Sequence, residues 1–269
     1  MKRDIVTISS RQNPRVKSLL RLYTKSRERI RSGLFVVEGE REIRMALQAG
    51  YKIRTLYLRE DAGREEWQEM IPPGFGGEIY GLSASLFEQI GYRTKTGGMV
   101  AVVERRETGL SSLSLPENAL VVVLESPEKP GNTGAVLRTA DAFGADALLI
   151  AAPHTDVFHP NTIRSSLGAV FSVPVATGTN EEIRSFLFDR GFRLFKTLIS
   201  HTSVPFGEPD YSGAVALLFG AEATGLTGFW RDTPGTDIII PMRGMVDSFN
   251  LSVSVALVLY EAVRKRKML

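Results

Sequence analysis

Residues 119–151 read ALVVVLESPEKPGNTGAVLRTADAFGADALLIA. The opening run, ALVVVLE (119–125), is almost unbroken in apolar character, which suits a strand covered on both faces as strands of parallel sheets are. A loop rich in Pro and Gly follows, then a helix expected over 132–143, then a second apolar strand, ALLIA (147–151). Strand, helix and strand at this spacing form a βαβ unit and imply an α/β fold with a mainly parallel sheet.

The alternation continues toward the C-terminus. A helix is expected over 161–168, a strand over 170–175, a helix over 180–189 and a strand at RLFKTL (193–198). Strands AVALLFG (214–220) and DIIIP (237–241) come next, then a final helix from about 250 to 266. That helix puts Leu251, Val255, Val258, Leu259, Ala262 and Val263 near one face and ends in the basic run RKRK.

Toward the N-terminus, RRETGLSSLSLPEN (105–118) is Ser-rich with weak periodicity and reads as an interdomain linker. Before it lies a second, smaller α/β pattern. Asn13-Pro14 is a helix start, with Asn as cap and Pro in the first turn. Val16, Leu19, Leu20 and Tyr23 then recur at helical spacing, and Arg15, Lys17, Arg21 and Lys25 lie off that stripe. Strands are expected at 34–39, 53–58 and 99–104, a helix over 40–48 stopped by Gly50, a short helix over 64–70, and a helix capped by Ser83.

The totals narrow the function. The chain has 269 residues, 43% apolar and 23% charged, enough for one large or two ordinary soluble domains. It has no cysteine, which removes disulfides, thiolate metal sites and cysteine nucleophiles, and fits a reducing cytoplasm. His154, His159 and His201 form no metal-ligand spacing and are expected to be structural or surface residues; no metal is expected. No apolar run has the length of a membrane span, and the N-terminus lacks a signal-peptide core. Net charge is +3, but residues 1–31 carry ten Lys or Arg against Asp4 and Glu28, so that segment is +8 and the remainder −5. Such concentration points to a polyanion partner, nucleic acid ahead of a merely solvated helix face, with Arg15, Lys17, Arg21 and Lys25 as candidate contacts.

Ligands in open α/β sheets bind beyond the C-terminal strand ends. Three such ends carry unusual loops: SPEKPGNTG (126–134), FGAEATGLT (219–227) and IPMRGMVDSFNLS (240–252). Neither GxGxxG nor GxxxxGK[ST] occurs, so a nicotinamide-dependent oxidoreductase or a P-loop enzyme loses its main support.

The ordered set GNxGxxxRTAxAFG (131–144), GxExxGL (220–226) and IPM…SxNxSVxxA (240–256) resembles the SpoU (TrmH) family of RNA ribose 2′-O-methyltransferases, in the SPOUT superfamily. FVVEGEREI (35–43) resembles part of the substrate-binding domain found in front of it, a small α/β RNA-binding domain of ribosomal-protein type. The resemblance implies an RNA-binding domain at 1–105, a linker at 106–117 and a trefoil-knot methyltransferase domain at 118–269. It also implies a cytoplasmic homodimer using S-adenosylmethionine on structured RNA, ribosomal RNA favoured over transfer RNA. Carried over position by position, it makes Asn132, Arg138, Glu222, Ser248 and Asn250 the catalytic candidates. Leu198, Gly220, Ile240 and Phe249 become the cofactor-binding candidates. Phe249 and Leu251 stand where the family usually has Leu and Val, changes that could reshape the adenine pocket.

The residue types suit that chemistry. A ribose 2′-hydroxyl is a poor nucleophile, and methyl transfer needs it deprotonated or held in line. An arginine, with a pKa above about 12, is no base, but it can stabilise a developing alkoxide or clamp a phosphate. Plainer readings stay open. Arg138 could pair with Asp141 at i+3, Asn132, Glu222, Ser248 and Asn250 could be caps, and the glycines could be turn residues. A non-catalytic RNA-binding protein that kept the fold is the rival function.

Overall fold

A computed structural model describes residues 5–61, 75–91, 97–246 and 248–267; the helix expected at 64–70 lies outside them. The chain forms two compact units, Met1–Arg106 with Phe158–Phe171, and Glu107–Val157 with Ser172–Leu269.

In the first unit, strand β1 (Val6–Ile8) precedes helix α1 (Pro14–Thr24). Asn13 starts α1 as expected: its side chain accepts from the Arg15 amide at 2.9 Å, and Pro14 needs no donor there. The buried stripe is Val16, Leu19, Leu22 and Tyr23, so Leu22 takes the place expected for Leu20. Helix α2 (Ser26–Ser32) ends at Gly33 in the left-handed region. Strand β2 (Leu34–Glu38), α3 (Glu40–Gln48), β3 (Ile53–Arg59), β4 (Glu78–Leu82), α4 (Ala84–Ile90) and β5 (Met99–Glu104) complete the layer. The sheet runs β1-β4-β3-β5-β2, with β5 antiparallel to both of its neighbours. The apolar face of α1 packs with Val36, Leu82, Phe87 and Val102 in its core.

Helix α5 (Pro130–Ala142) lies in the second unit, and α6 (Pro160–Ser165), next along the chain, lies in the first. Phe158 stacks on Phe35 with ring centres 4.5 Å apart, and Phe171 meets Tyr51 edge-on at 5.1 Å. This aromatic cluster corrects the strand expected at 170–175. Residues Ala169–Phe171 form a 3-10 turn after Gly168, whose φ is +90°. Ring packing, not sheet pairing, buries that apolar run, and the strand begins only at Val175 after Pro174.

The second unit is built on seven strands: β6 (Leu120–Glu125), β7 (Ala147–Ala151), β8 (Val175–Gly178), β9 (Arg193–Thr197), β10 (Val204–Pro205), β11 (Val215–Phe219) and β12 (Thr236–Ile239). They form one sheet in the order β10-β12-β9-β11-β6-β7-β8, every pairing parallel. β6, β7 and β11 are buried along their whole length, as continuous apolar runs require. Helix α7 (Asn180–Asp189) opens with a capping box between Thr179 and Glu182. Helix α8 (Gly228–Arg231) is a single turn. Helix α9 (Leu251–Lys265) packs against α5 and buries all six residues expected on its apolar face.

The Ser-rich stretch before β6 is docked rather than loose. Leu110, Leu113 and Leu115 pack on the core, and the Thr177 amide donates to the Thr108 carbonyl at 2.7 Å. The basic C-terminus is tied down too. Arg266 donates to the carbonyls of Tyr211 (2.8 Å), Asn118 (3.0 Å) and Gly213, and Lys265 to those of Glu208 (3.0 Å) and Pro209 (2.9 Å).

Candidate active site

Because all strands of the second unit run parallel, β6, β9, β11 and β12 end on one edge and deliver their following loops there. A cavity of about 520 Å³ opens at that edge, within the size range of small-molecule sites. Leu198, Ile199, Gly220, Glu222, Ser248 and Phe249 are among its walls. All of these but Ile199 are expected from sequence. Ile240 follows β12 at the same edge but is not among the lining residues.

The 220–227 loop folds back on itself. The Gly225 amide donates to the Ala221 carbonyl at 2.9 Å, with Gly225 at φ +65°. A Cβ on Gly220 would fall inside the backbone of Gly225 and Leu226, so only glycine permits the fold-back. Arg231 Nε holds the same turn from outside, donating to the Leu226 carbonyl at 2.8 Å. Arg231 also lines the cavity.

The three loops meet through side chains. Asn132, near the start of α5, donates from Nδ2 to Glu222 Oε1 in a short contact. Asn250 Nδ2 lies 3.4 Å from Asn132 Oδ1. Asn250 also caps α9, its Oδ1 accepting from the Ser252 amide at 3.0 Å. The cap reading of Asn250 is therefore correct and does not exclude the other role. Asn132 is no N-cap, because Lys129 holds that place and Asn132 lies inside the helix. Glu222 Oε2 is buried with no hydrogen-bond partner among the described residues. Such an oxygen is unfavourable to leave unpaired, and a donor on a bound molecule would satisfy it.

Arg138 lies almost two turns beyond Asn132 on α5 and is exposed. No ion pair joins it to Asp141 among the described residues; Asp141 instead accepts from Ser172 Oγ at 2.6 Å. Asn132, Arg138 and Asn250 are none of them among the residues that line the cavity. Asn132 and Asn250 are tied to its wall through Glu222, whereas no hydrogen bond joins Arg138 to that series among the described residues.

In the first unit, Lys17 and Arg21 on α1 and Lys25 at its C-terminal cap are exposed and form no ion pair among the described residues. Arg15 is already engaged: its guanidinium sits 4.7 Å from the Tyr80 ring centre and 3.4 Å from a Glu78 carboxylate oxygen. Arg29, though part of the same basic run, is only 1% exposed and donates to the Leu22 carbonyl at 2.8 Å. Among the histidines, His159 caps α6 by accepting from the Asn161 amide at 3.0 Å.

Among the described residues no helix is long and apolar enough to cross a membrane, and no cluster of His, Asp and Glu side chains could hold a metal ion.

Residues 119–260 match the SpoU rRNA Methylase family, and residues 13–101 match the MRM3-like substrate binding domain. A 23S rRNA (uridine(2479)-2′-O)-methyltransferase of Streptomyces viridochromogenes is 32% identical, over 96% of this chain and 92% of its own. A 23S rRNA (guanosine(2553)-2′-O)-methyltransferase of Bacillus subtilis is 27% identical, over 94% of this chain and 97% of its own. An AdoMet-bound rRNA methyltransferase from Sinorhizobium meliloti superposes with a TM-score of 0.88 at 30% identity, covering 98% of this chain and 99% of that one.

Proposed function

The chain belongs to the SpoU rRNA Methylase family, and from that premise we propose that it transfers a methyl group from S-adenosylmethionine to a ribose 2′-hydroxyl of ribosomal RNA. The observation that carries the reading is the side-chain series Asn250–Asn132–Glu222, which joins all three strand-end loops and ends on Glu222 in the cavity wall. Relatives named as 23S rRNA enzymes, matched over nearly their whole length, favour ribosomal over transfer RNA.

The cavity suits the cofactor. Leu198, Ile199 and Phe249 offer apolar surface for an adenine ring, and the backbone beside Gly220 offers close approach. The open Glu222 Oε2 suits a hydroxyl or ammonium donor of the ligand. When bound, S-adenosylmethionine supplies the electrophilic methyl carbon. Asn132 and Asn250, tied to the cavity through Glu222, are assigned to hold the ribose, and Ser248 stands on the cavity wall. Arg138, exposed on α5 and outside the cavity of its own chain, is assigned by the family motif alone to favour the 2′-oxygen as it gains negative charge, or to fix the neighbouring phosphate of bound RNA. Lys17, Arg21 and Lys25, with a smaller share from the engaged Arg15, grip RNA through its phosphates.

Division into an RNA-gripping part at 1–105 and a catalytic part at 118–269 is part of the same proposal. So is a cytoplasmic homodimer with a trefoil knot. Val253 and Tyr260 on α9 are 43% and 46% exposed, apolar surface that a second copy would cover. The meeting of the loops after β9, β11 and β12 in one cavity is what a knotted cofactor site requires.

Mapping 2′-O-methyl positions in total RNA from cells with and without the gene tests the function. Loss of one ribosomal position is expected; a lost transfer-RNA position would redirect the substrate assignment. An unchanged map, together with no affinity for S-adenosylmethionine, would favour the non-catalytic RNA binder.

A further inference from the structure

Glu125, the last residue of β6, is a charged side chain at 1% exposure that the network above does not contain. Both carboxylate oxygens are occupied. Oε2 accepts from the Thr227 amide at 2.8 Å, and Oε1 accepts from Thr227 Oγ1 at 2.6 Å and from Asn180 Nδ2 at 3.2 Å. Asn180 Oδ1 in turn accepts from Trp230 Nε1 at 2.9 Å, and Trp230 is fully buried.

The polarity of this network is forced. An indole N–H can only donate, so the Asn180 oxygen must face Trp230 and its NH2 must face Glu125. The Thr227 amide is likewise a donor only. The side chain at position 125 must therefore accept at both of its terminal atoms, which a carboxylate does and a carboxamide cannot.

Its place in the chain gives this demand a consequence. Thr227 is where the 220–227 loop closes, one residue beyond the Leu226 turn pinned against Gly220. The next residue after Glu125, Ser126, takes a left-handed φ of 49° and starts the loop that leads to Asn132. One buried carboxylate thus fixes the end of the loop carrying Glu222 and the start of the loop carrying Asn132. We infer that Glu125 is a positioning residue that sets the two loops against each other, so that Asn132 and Glu222 meet and the cofactor cavity keeps its wall. The inference rests on the methyltransferase reading of that site.

The test is a carboxylate swap. Glu125→Gln keeps the shape but puts an NH2 where an acceptor is needed. Misplacement of reacting groups by even about 1 Å can cost roughly a hundredfold in rate, so the variant should lose about tenfold or more in both turnover and affinity for S-adenosylmethionine. The double variant Glu125→Gln/Asn180→Asp restores the pairings with the carboxylate and carboxamide exchanged. The carboxylate now at position 180 accepts from Trp230 Nε1 and from the new NH2 at position 125, while the remaining oxygen at position 125 still accepts from the Thr227 amide. It should regain most of the turnover. Both variants are measured on the full chain, at a temperature well below each variant's own melt. Wild-type turnover and cofactor affinity in Glu125→Gln would overturn the inference, whatever its melting temperature. Recovery of thermal stability without turnover in the double variant would overturn it too, leaving Glu125 as packing alone. If Glu125→Gln does not fold, the double variant still decides, because the inference requires it to be both folded and active. A wild-type protein that neither binds S-adenosylmethionine nor methylates RNA would sink the functional reading itself, a result distinct from either of these.

Discussion

The loop cluster of the second unit and the outer face of α1 in the first are built in opposite ways. At the loops, Asn132, Glu222 and Asn250 bond to one another across 90 and 118 residues of chain. On α1 and at its C-terminal cap, Lys17, Arg21 and Lys25 are each exposed and none is in an ion pair among the described residues. A bonded cluster fixes one geometry and fails as a unit; separated cations add their effects one at a time and are screened by salt. The difference fits the tasks proposed for them, since methyl transfer needs placed atoms whereas RNA grip needs positive charge near phosphates.

The largest effect should come from Arg138→Ala. Loss of a group that stabilises developing charge costs about a hundredfold or more in turnover. The variant should still fold and bind S-adenosylmethionine, and Arg138→Lys should rescue poorly because an ammonium lacks the two-pronged geometry. A methylation assay beside thermal melts with and without cofactor reads both. Near-normal turnover would move the chemistry to Asn132, Glu222 or Asn250.

Asn132→Ala and Glu222→Gln should each cost roughly tenfold or more in turnover, and the double variant little beyond the worse single, as groups acting as a unit do. Multiplying losses would break the contrast with α1. There the opposite is expected. Lys17, Arg21 and Lys25 changed to Ala should lower RNA affinity stepwise, each reducing the log–log salt slope by about one. Adding Arg15→Ala should contribute less than the others, because Tyr80 and Glu78 already hold that guanidinium. Unaltered RNA affinity in the combined variant would make the face a solvated surface.

The smallest effect on function belongs to the other basic run. Arg266→Ala removes donors to three backbone carbonyls and should lower stability by about 1–3 kcal/mol, seen in a denaturant melt, while RNA affinity stays the same. Two basic runs of like composition thus differ by what their donors touch. Arg29, inside the N-terminal run, sides with the C-terminal one, since its guanidinium is engaged by the carbonyl of Leu22.

This is also where the sequence stops being legible. Helix α3, strand β5 and the buried face of α9 follow from local signals: a cap, a stop glycine, an apolar period. The motif residues could be placed at strand ends, and the structure draws Asn132, Glu222 and Asn250 together there. What failed or was missed depends on distant partners. Val170 and Phe171 read as strand because nothing nearby reveals Phe35 as a packing partner. Leu110, Leu113 and Leu115 read as linker because their period is weak, yet they find a core to cover. Glu125 read as the end of an apolar run. Its partners lie 55 and 102 residues away, and the only local hint was a charge closing a strand otherwise buried throughout.

The separation of grip from chemistry is tested most directly by single-turnover methyl transfer to the cognate RNA, at saturating S-adenosylmethionine and rising RNA concentration. The Lys17/Arg21/Lys25 triple-alanine variant should need more RNA but reach the wild-type rate at saturation, and Arg138→Ala should stay at least about a hundredfold slow at every concentration. A triple variant that stays slow at saturation, or an Arg138→Ala protein that reaches the wild-type rate once RNA is in excess, would contradict the account.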